Sequence, residues 1–419
     1  MSPLRVIWDQ FPGTTSMITV AEAIQIVKEQ TKALSPERVE LEEGLSRFLA
    51  EDIIADSDLP PFNRSQMDGY AVRAADTQNA PVRLRIVGES VAGAGWHNEM
   101  LAGQAVRIMT GAPVPKGADS VQQVELTREL DEGAAVEIQQ SAEVGKSIVK
   151  RASEIKAGEK VLHAGEYINA AMMAVLASFG YATVTVGREP RVAVLATGSE
   201  LVAVDQQPGQ DQIRDSNNYS IGAYAALAGA IVKLMPLAGD DPGLLKRQIA
   251  AAAERSDVVV TSGGVSMGVY DFTKTALKEL GGEIFFERVA LRPGKPTVFA
   301  RLPNGVLVFS LPGNPVSVSV TFNLFARTSL LAMQGAYEPA LGEEWALLKR
   351  SVKGSVDRES YLPGQIRTGE AGHLMVQPLK WGGSSDFVAF ARANSLIRVP
   401  AGGATLELGS TVRVVRLPF

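Results

Sequence analysis

Residues 257–274 read DVVVTSGGVSMGVYDFTK. Three β-favouring residues, Val258, Val259 and Val260, run into Thr261, Ser262, Gly263, Gly264, Val265 and Ser266, and a helix-compatible segment resumes near Asp271. A strand that ends in a glycine pair flanked by hydroxyls, just ahead of a helix, exposes backbone N–H groups to an oxyanion, and the missing Cβ lets the anion come close. One such turn is a common loop. Two more sit at equivalent places: Ala196-Thr197-Gly198-Ser199-Glu200 and Ser310-Leu311-Pro312-Gly313-Asn314-Pro315-Val316-Ser317.

Around this stretch the chain alternates between strand and helix from residue 188 to about 334. Strand 192–196 is followed by helix 216–228, strand 231–237, helix 242–255, strand 258–261, helix 272–280, strand 284–290, a hairpin-like pair 297–301 and 306–310, and helix 316–333. The alternation predicts a doubly wound, mostly parallel α/β sheet with helices on both faces. Ligands of such sheets bind beyond the carboxyl ends of the strands, which is where all three glycine turns fall.

The same edge collects acids, because Glu200, Asp240 and Asp271 each follow a predicted strand. Carboxylates beside an anion cradle repel the ligand unless a hard cation lies between, so Mg2+ is the expected cofactor. Helix capping, worth about 1 kcal/mol per residue, is the competing explanation for Asp240 and Asp271 but leaves Glu200 unexplained. Positive charge comes from Leu291-Arg292-Pro293-Gly294-Lys295-Pro296, where the bracketing prolines stiffen the turn that carries both cations.

The flanks read differently. Residues 19–55 are expected to be mostly helical, with one amphipathic helix on Val20, Ala23, Ile24 and Val27 and a second, short one on Leu41, Leu45, Phe48 and Leu49. A proline-broken polar stretch at 57–65 marks a boundary, and short strands at 69–72, 82–87, 104–109, 121–126 and 135–138 predict an inserted, mainly β domain over residues 56–150. The uncharged run 167–187 has the length of a membrane span. Gly180 divides it into a helix, 169–179, and a strand, 181–186, which read as two buried elements. Packed back on the first helices, they make a discontinuous α+β domain of residues 18–55 and 151–187. The α/β domain takes residues 188–335, and strands at 346–349, 361–366, 374–378, 396–399 and 411–416 form a C-terminal β-barrel-like domain, 340–419.

Composition bounds the chemistry. A chain of 419 residues, 46% hydrophobic and 21% charged, is globular and multidomain. A net charge of −5 provides no general field for nucleic acid or an anionic membrane, so anion binding must be local. The absence of cysteine excludes disulfides and thiolate metal sites, and His97, His163 and His373 are too scattered for a zinc centre. Residues 1–18 carry Asp9 and two prolines and no apolar core of signal length, so a cytoplasmic location is expected.

Several motifs, in order, carry a resemblance: Ser65-Gln66-Met67-Asp68-Gly69-Tyr70-Ala71-Val72; Met109-Thr110-Gly111-Ala112-Pro113-Val114-Pro115 with Gly117-Ala118-Asp119; the TSGGVSMGVYD run; RPGKP; LPGNPVS; and Trp381-Gly382-Gly383-Ser384-Ser385. From Val20 to the end the chain resembles the MoeA family of molybdopterin molybdenumtransferases, whose eukaryotic relatives include the E domain of gephyrin. The resemblance implies a four-domain homodimer with a MogA-like, molybdopterin-binding α/β domain and an active site shared between subunits. It also implies Mg2+-dependent insertion of molybdenum from molybdate into adenylylated molybdopterin, with release of AMP.

By the same resemblance, Asp68, Thr110, Glu200, Asp240 and Lys295 are catalytic, and Glu200, Asp240 and Asp271 hold the metal. Ser262, Gly263, Gly264, Ser266 and Arg292 bind substrate, as do Pro312, Gly313, Asn314, Pro315, Ser317 and Ser384. Implied partners are the molybdopterin adenylyltransferase and molybdoenzyme maturation proteins, with no nucleic acid and no membrane. One departure falls in the last domain: Pro363 stands where many members carry an arginine, leaving Arg358 or Arg367 to supply the charge. Two other readings compete, a molybdopterin adenylyltransferase and a non-catalytic scaffold of the gephyrin type. The former is typically a single α/β domain, and the latter does not need the acids and lysine present here.

Overall fold

Strand Val258–Ser262 is buried along its whole length, the mark of a central strand in a sheet covered on both sides. In the computed structural model, which describes residues 17–239, 241–264, 272–370 and 372–418, it takes that place. The six-stranded sheet runs Ile231–Leu234, Arg191–Ala196, Val258–Ser262, Leu307–Leu311, Val298–Arg301, Glu283–Phe286. The first four strands are parallel; Val298–Arg301 pairs antiparallel with Leu307–Leu311 in the expected hairpin, and Glu283–Phe286 pairs antiparallel with Val298–Arg301.

Alternation along each strand sends side chains to two cores. Val192, Val194, Val258, Val260 and Phe309 pack with helix Asn217–Leu227 through Ile221 and Ala225, and with the long helix that starts at Pro315. Ala193, Leu195, Val259 and Val308 face the other way, onto Leu245 and Ile249 of helix Pro242–Ala253 and Ala276 and Leu277 of helix Phe272–Glu279. The sheet is therefore doubly wound.

The last helix departs from a plain α-helix. Segments Pro315–Thr321 and Arg327–Met333 flank a π turn over Phe322–Ala326. Among the described residues it is the one helix long and apolar enough to cross a membrane, and 89% of that window is buried inside the protein, as a core helix requires.

The C-terminal strands Glu343–Leu348, Glu359–Thr368, Leu374–Pro378, Ser395–Val399 and Thr411–Arg416 close into a five-stranded barrel, because Glu359–Thr368 pairs with both Leu374–Pro378 and Ser395–Val399. Leu291–Arg292 adds to it in parallel, so a loop of the α/β sheet is hydrogen-bonded to the barrel wall.

Sheet and barrel belong to one compact unit, together with residues up to Glu51 and the segment Ala164–Ala170. A second unit comprises Asp52–His163 and Ala171–Ala182. It holds a six-stranded sheet ordered Ser120–Gln123, Gly69–Val72, Gln104–Ile108, Val82–Ser90, Ala135–Ile138, Thr127–Leu130.

Two local expectations fail. Residues 19–55 are not mostly helical: after Val20–Gln30, strand Glu37–Glu40 pairs antiparallel with Thr183–Val186, and only one 3-10 turn, Leu41–Gly44, follows. The helical spacing of Leu41, Leu45, Phe48 and Leu49 is coincidental, since Phe48 and Leu49 form bridges to Tyr167 and Val186 and Leu45 is exposed. Nor is the Ala/Met-rich helix a buried element. Helix Ala170–Ser178 is apolar on all sides, yet only Leu176 is fully buried.

Phe309 and Phe299 stack at the centre of the sheet, ring centroids 4.6 Å apart and both fully buried. Phe309→Ala is expected to lower the unfolding free energy by about 3–5 kcal/mol in a denaturant titration, the usual cost of emptying such a site.

Candidate active site

The three glycine turns meet at the carboxyl edge of the sheet. Gly263 has φ +86°, and a Cβ there would lie 2.3 Å from the Thr197 carbonyl oxygen, so only glycine lets the two strand ends approach this closely. The Thr197 amide donates to the Ser262 carbonyl at 2.9 Å, and the Gly263 amide donates to the Leu311 carbonyl at 3.2 Å. A Cβ on Gly313 would stand 3.7 Å from the Gly263 Cα. Strand register thus delivers all three turns to one place.

They line a cavity of about 850 Å³ that includes Gly198, Glu200, Gly263, Gly264, Gly313 and Pro315. Ser262 lies beneath it with its hydroxyl buried and unpartnered among the described residues, as are the hydroxyls of Thr261, Thr273 and Ser310. Asp240, Ser266 and Asp271 lie outside the described residues. The cap of helix Pro242–Ala253 is Asp241, which accepts from the Gly243 and Leu244 amides, so the neighbour of Asp240 does the capping.

Sequence reasoning missed the far wall of this cavity, Arg214, Asp215 and Asn217. Asp215 is buried, and desolvation pushes its carboxyl above the usual aspartate range. Asn217 donates through Nδ2 to the Gly313 carbonyl at 2.8 Å, and its Oδ1 is buried without a partner. Polar residues opening a helix resemble ordinary caps in the sequence, which concealed them.

A second cavity, about 900 Å³, shares Pro296, Pro312 and Asn314 with the first. One wall is the α/β domain, with Arg292, Lys295 and Ser317. The other is the barrel, with Arg350, Lys353, Arg358, Lys380 and Ser384, and among the described residues no carboxylate lines the cavity. Asn314 Nδ2 donates to Ser384 Oγ at 2.9 Å, and the Val316 amide donates to the Ser384 carbonyl at 3.0 Å, tying the walls together. Pro363 lines the cavity; of the two arginines expected to replace its charge, Arg358 lines it and Arg367 does not. Sequence reasoning did not single out Arg350, Lys353 or Lys380; all three are exposed, and the folded barrel brings them to one cavity.

Asp68 and Thr110 belong to the other compact unit, where they meet each other. The Thr110 amide and hydroxyl both donate to Asp68 Oδ1, at 2.6 and 2.8 Å. The amide first and the hydroxyl second hold the Asp68 carboxyl below the usual aspartate range.

Comparison with known proteins agrees with this layout. Residues 18–180 match the MoeA N-terminal region (domain I and II), 193–332 a probable molybdopterin binding domain, and 346–417 the MoeA C-terminal region (domain IV). A molybdopterin molybdenumtransferase from Staphylococcus aureus is 36% identical over 402 residues, 95% of each chain. One from Bacillus subtilis is 35% identical over 404 residues, 95% of this chain and 94% of its own. A solved molybdopterin biosynthesis MoeA protein from Pyrococcus horikoshii superposes with a TM-score of 0.82 at 26% identity, covering 96% of this chain and 100% of its own. These matches define a three-part chain built on a molybdopterin-binding domain. The chain belongs to the MoeA family, the molybdopterin molybdenumtransferases.

Because a depressed pKa favours the ionised form, the Asp68–Thr110 contact is complete above the ordinary aspartate range and is lost as pH falls through the lowered value. Thr110→Val removes the hydroxyl donor and is expected to move the Asp68 titration midpoint upward in an NMR pH titration. An unmoved midpoint would contradict this.

Proposed function

We propose that this enzyme inserts molybdenum from molybdate into adenylylated molybdopterin, in a magnesium-dependent reaction that releases AMP. One observation carries the reading: a glycine-turn cavity with acids adjoins a second cavity that, among the described residues, has six cations and no acid, and the two share Pro296, Pro312 and Asn314. An anionic, nucleotide-linked pterin suits the first and a small tetrahedral oxyanion the second.

In this reading the backbone of Gly264 and Gly313 cradles the phosphates, and Gly263, whose amide is used by the Leu311 carbonyl, lets the turns close around them. Lys295, Arg292, Ser317 and Ser384 hold the oxyanion while two dithiolene sulfurs replace oxo groups of molybdate and hydrolysis of the pyrophosphate link frees AMP. With no cysteine or histidine at the site, the protein acts by positioning and charge stabilisation. Asp68 and Thr110, on the other compact unit, act from the partner subunit of a homodimer. The exposed apolar helix Ala170–Ser178 supports such a dimer, since a helix apolar on all sides is ordinarily covered.

Glu200 and Asn217 line the first cavity, and the buried Oδ1 of Asn217 lacks a partner among the described residues; hard oxygen donors of this kind suit magnesium. Among the described residues no group of three acids or histidines is assembled, so Glu200 would share the ion with Asp240 and Asp271, which lie outside them. Bound there, magnesium would neutralise charge on the pyrophosphate link. We place the molybdopterin adenylyltransferase upstream and molybdoenzyme maturation proteins downstream, with the cytoplasm as the compartment.

With adenylylated molybdopterin and molybdate supplied, AMP release by Lys295→Ala is expected to fall about tenfold to a hundredfold, the worth of a charged hydrogen bond. Wild-type rates in that variant would refute its role, and ATP-dependent adenylylation of the pterin by the wild type would favour the adenylyltransferase reading. Chelation with EDTA is expected to stop AMP release and added Mg2+ to restore it; undiminished release in EDTA would remove magnesium from the reaction.

A further inference from the structure

The barrel wall of the basic cavity poses a problem in donor supply. Strand Glu359–Thr368 lines it with Leu362 and Pro363, neither of which has a side-chain donor. Arg358, just before this strand, has its Nε 3.2 Å from Asp357 Oδ2, which offsets part of its charge. Further donors come from another part of the barrel.

Residues 349–353 supply them. The Lys349 amide donates to the Val376 carbonyl at 2.9 Å, which fixes the chain just past strand Glu343–Leu348 against strand Leu374–Pro378. Arg350 then reaches the end of that strand, where its Nη2 donates to the Pro378 carbonyl at 3.0 Å. One nitrogen is anchored, and the remaining guanidinium donors are left for a ligand. Lys353 and Lys380 line the same cavity as flexible point charges, whereas an anchored planar fork has less freedom to lose on binding. Among the described residues no ion-pair partner is found for Arg350.

We propose that Arg350 is an oxyanion-binding residue, gripping the tetrahedral substrate from the barrel side, opposite Lys295. The proposal rests on the reading of this cavity as the oxyanion pocket. Arg350 is exposed, so its replacement leaves the core untouched.

Molybdate binding to the full-length protein, measured by titration calorimetry, tests it in four forms: wild type, Lys295→Ala, Arg350→Ala, and Arg350→Ala combined with Pro363→Arg. Arg350→Ala is expected to weaken binding about tenfold or more, with the unfolding midpoint unchanged. Pro363→Arg, which places a guanidinium on the same wall, is expected to recover most of the loss. If Lys295→Ala weakens binding and Arg350→Ala does not, Arg350 has no such role while the pocket stands. A loss in Arg350→Ala that comes with a lowered unfolding midpoint and is not recovered by Pro363→Arg assigns Arg350 to structure and overturns the proposal. If the wild type does not bind molybdate, or neither single variant changes affinity, the reading of the pocket fails and the proposal with it.

Discussion

The site depends on how closely the ends of two neighbouring strands can approach. The Thr197 carbonyl occupies the space that a side chain on residue 263 would need, and at φ +86° residue 263 is in a region other residues seldom adopt. With glycine there, the turns after Ala196, Ser262 and Leu311 lie side by side, joined by the Thr197 amide to the Ser262 carbonyl and the Gly263 amide to the Leu311 carbonyl. Any larger residue would push the turns apart by the width of a methyl group, more than a main-chain anion cradle tolerates. The parallel register of four strands places the turns; glycine lets them close.

Around these turns the protein accepts polar atoms in places where apolar ones would be more stable. Thr261, Ser262, Thr273 and Ser310 bury hydroxyls without partners among the described residues, and Asn217 and Asn218 do the same with carboxamide oxygens. Each such group costs about 1–3 kcal/mol of desolvation. The cost falls within the strand ends and the helix starts that face the cavity, while the same strands are purely apolar a few residues earlier, at Val192–Leu195 and Val258–Val260. Stability is concentrated in the middle of the sheet and relinquished at its edge, as expected where binding is under selection.

Much of this architecture was legible in the sequence because it rests on local patterns. The βα alternation and the three glycine turns predicted the doubly wound sheet and the edge on which the candidate site lies. Strands Ala135–Ile138, Leu374–Pro378 and Thr411–Arg416 fall at the expected residues, since each is a short run rich in Val, Ile or Leu close to turn-forming glycines. What was illegible depends on long-range pairing. Glu37–Glu40 has the composition of a helical surface and becomes a strand only because Thr183–Val186 pairs with it. Arg350 and Lys353 are exposed cations that no local pattern singles out, and only the closed five-stranded barrel places them on the cavity that Lys295 also lines. Asp215 and Asn217 read as helix-start residues, and their burial follows from the Gly313 turn packed against them.

The barrel also solves an electrostatic problem. Six cations around one cavity repel each other, and a solvent-exposed set on flexible loops would relax outward, to be screened over a Debye length of about 8–10 Å. Here the two walls cannot drift apart, because Leu291–Arg292 is hydrogen-bonded to the barrel as an extra strand and Ser384 is held by both Asn314 and Val316. The backbone positions that carry the cations are therefore fixed relative to one another. Holding like charges in place before the ligand arrives avoids most of the reorganisation that a mobile set would undergo on binding, which is the advantage of a preorganised polar site. On the proposed reading, a sheet joined to a barrel suits an oxyanion pocket: one surface provides main-chain donors at strand ends, and a second, fastened to it, provides the charge.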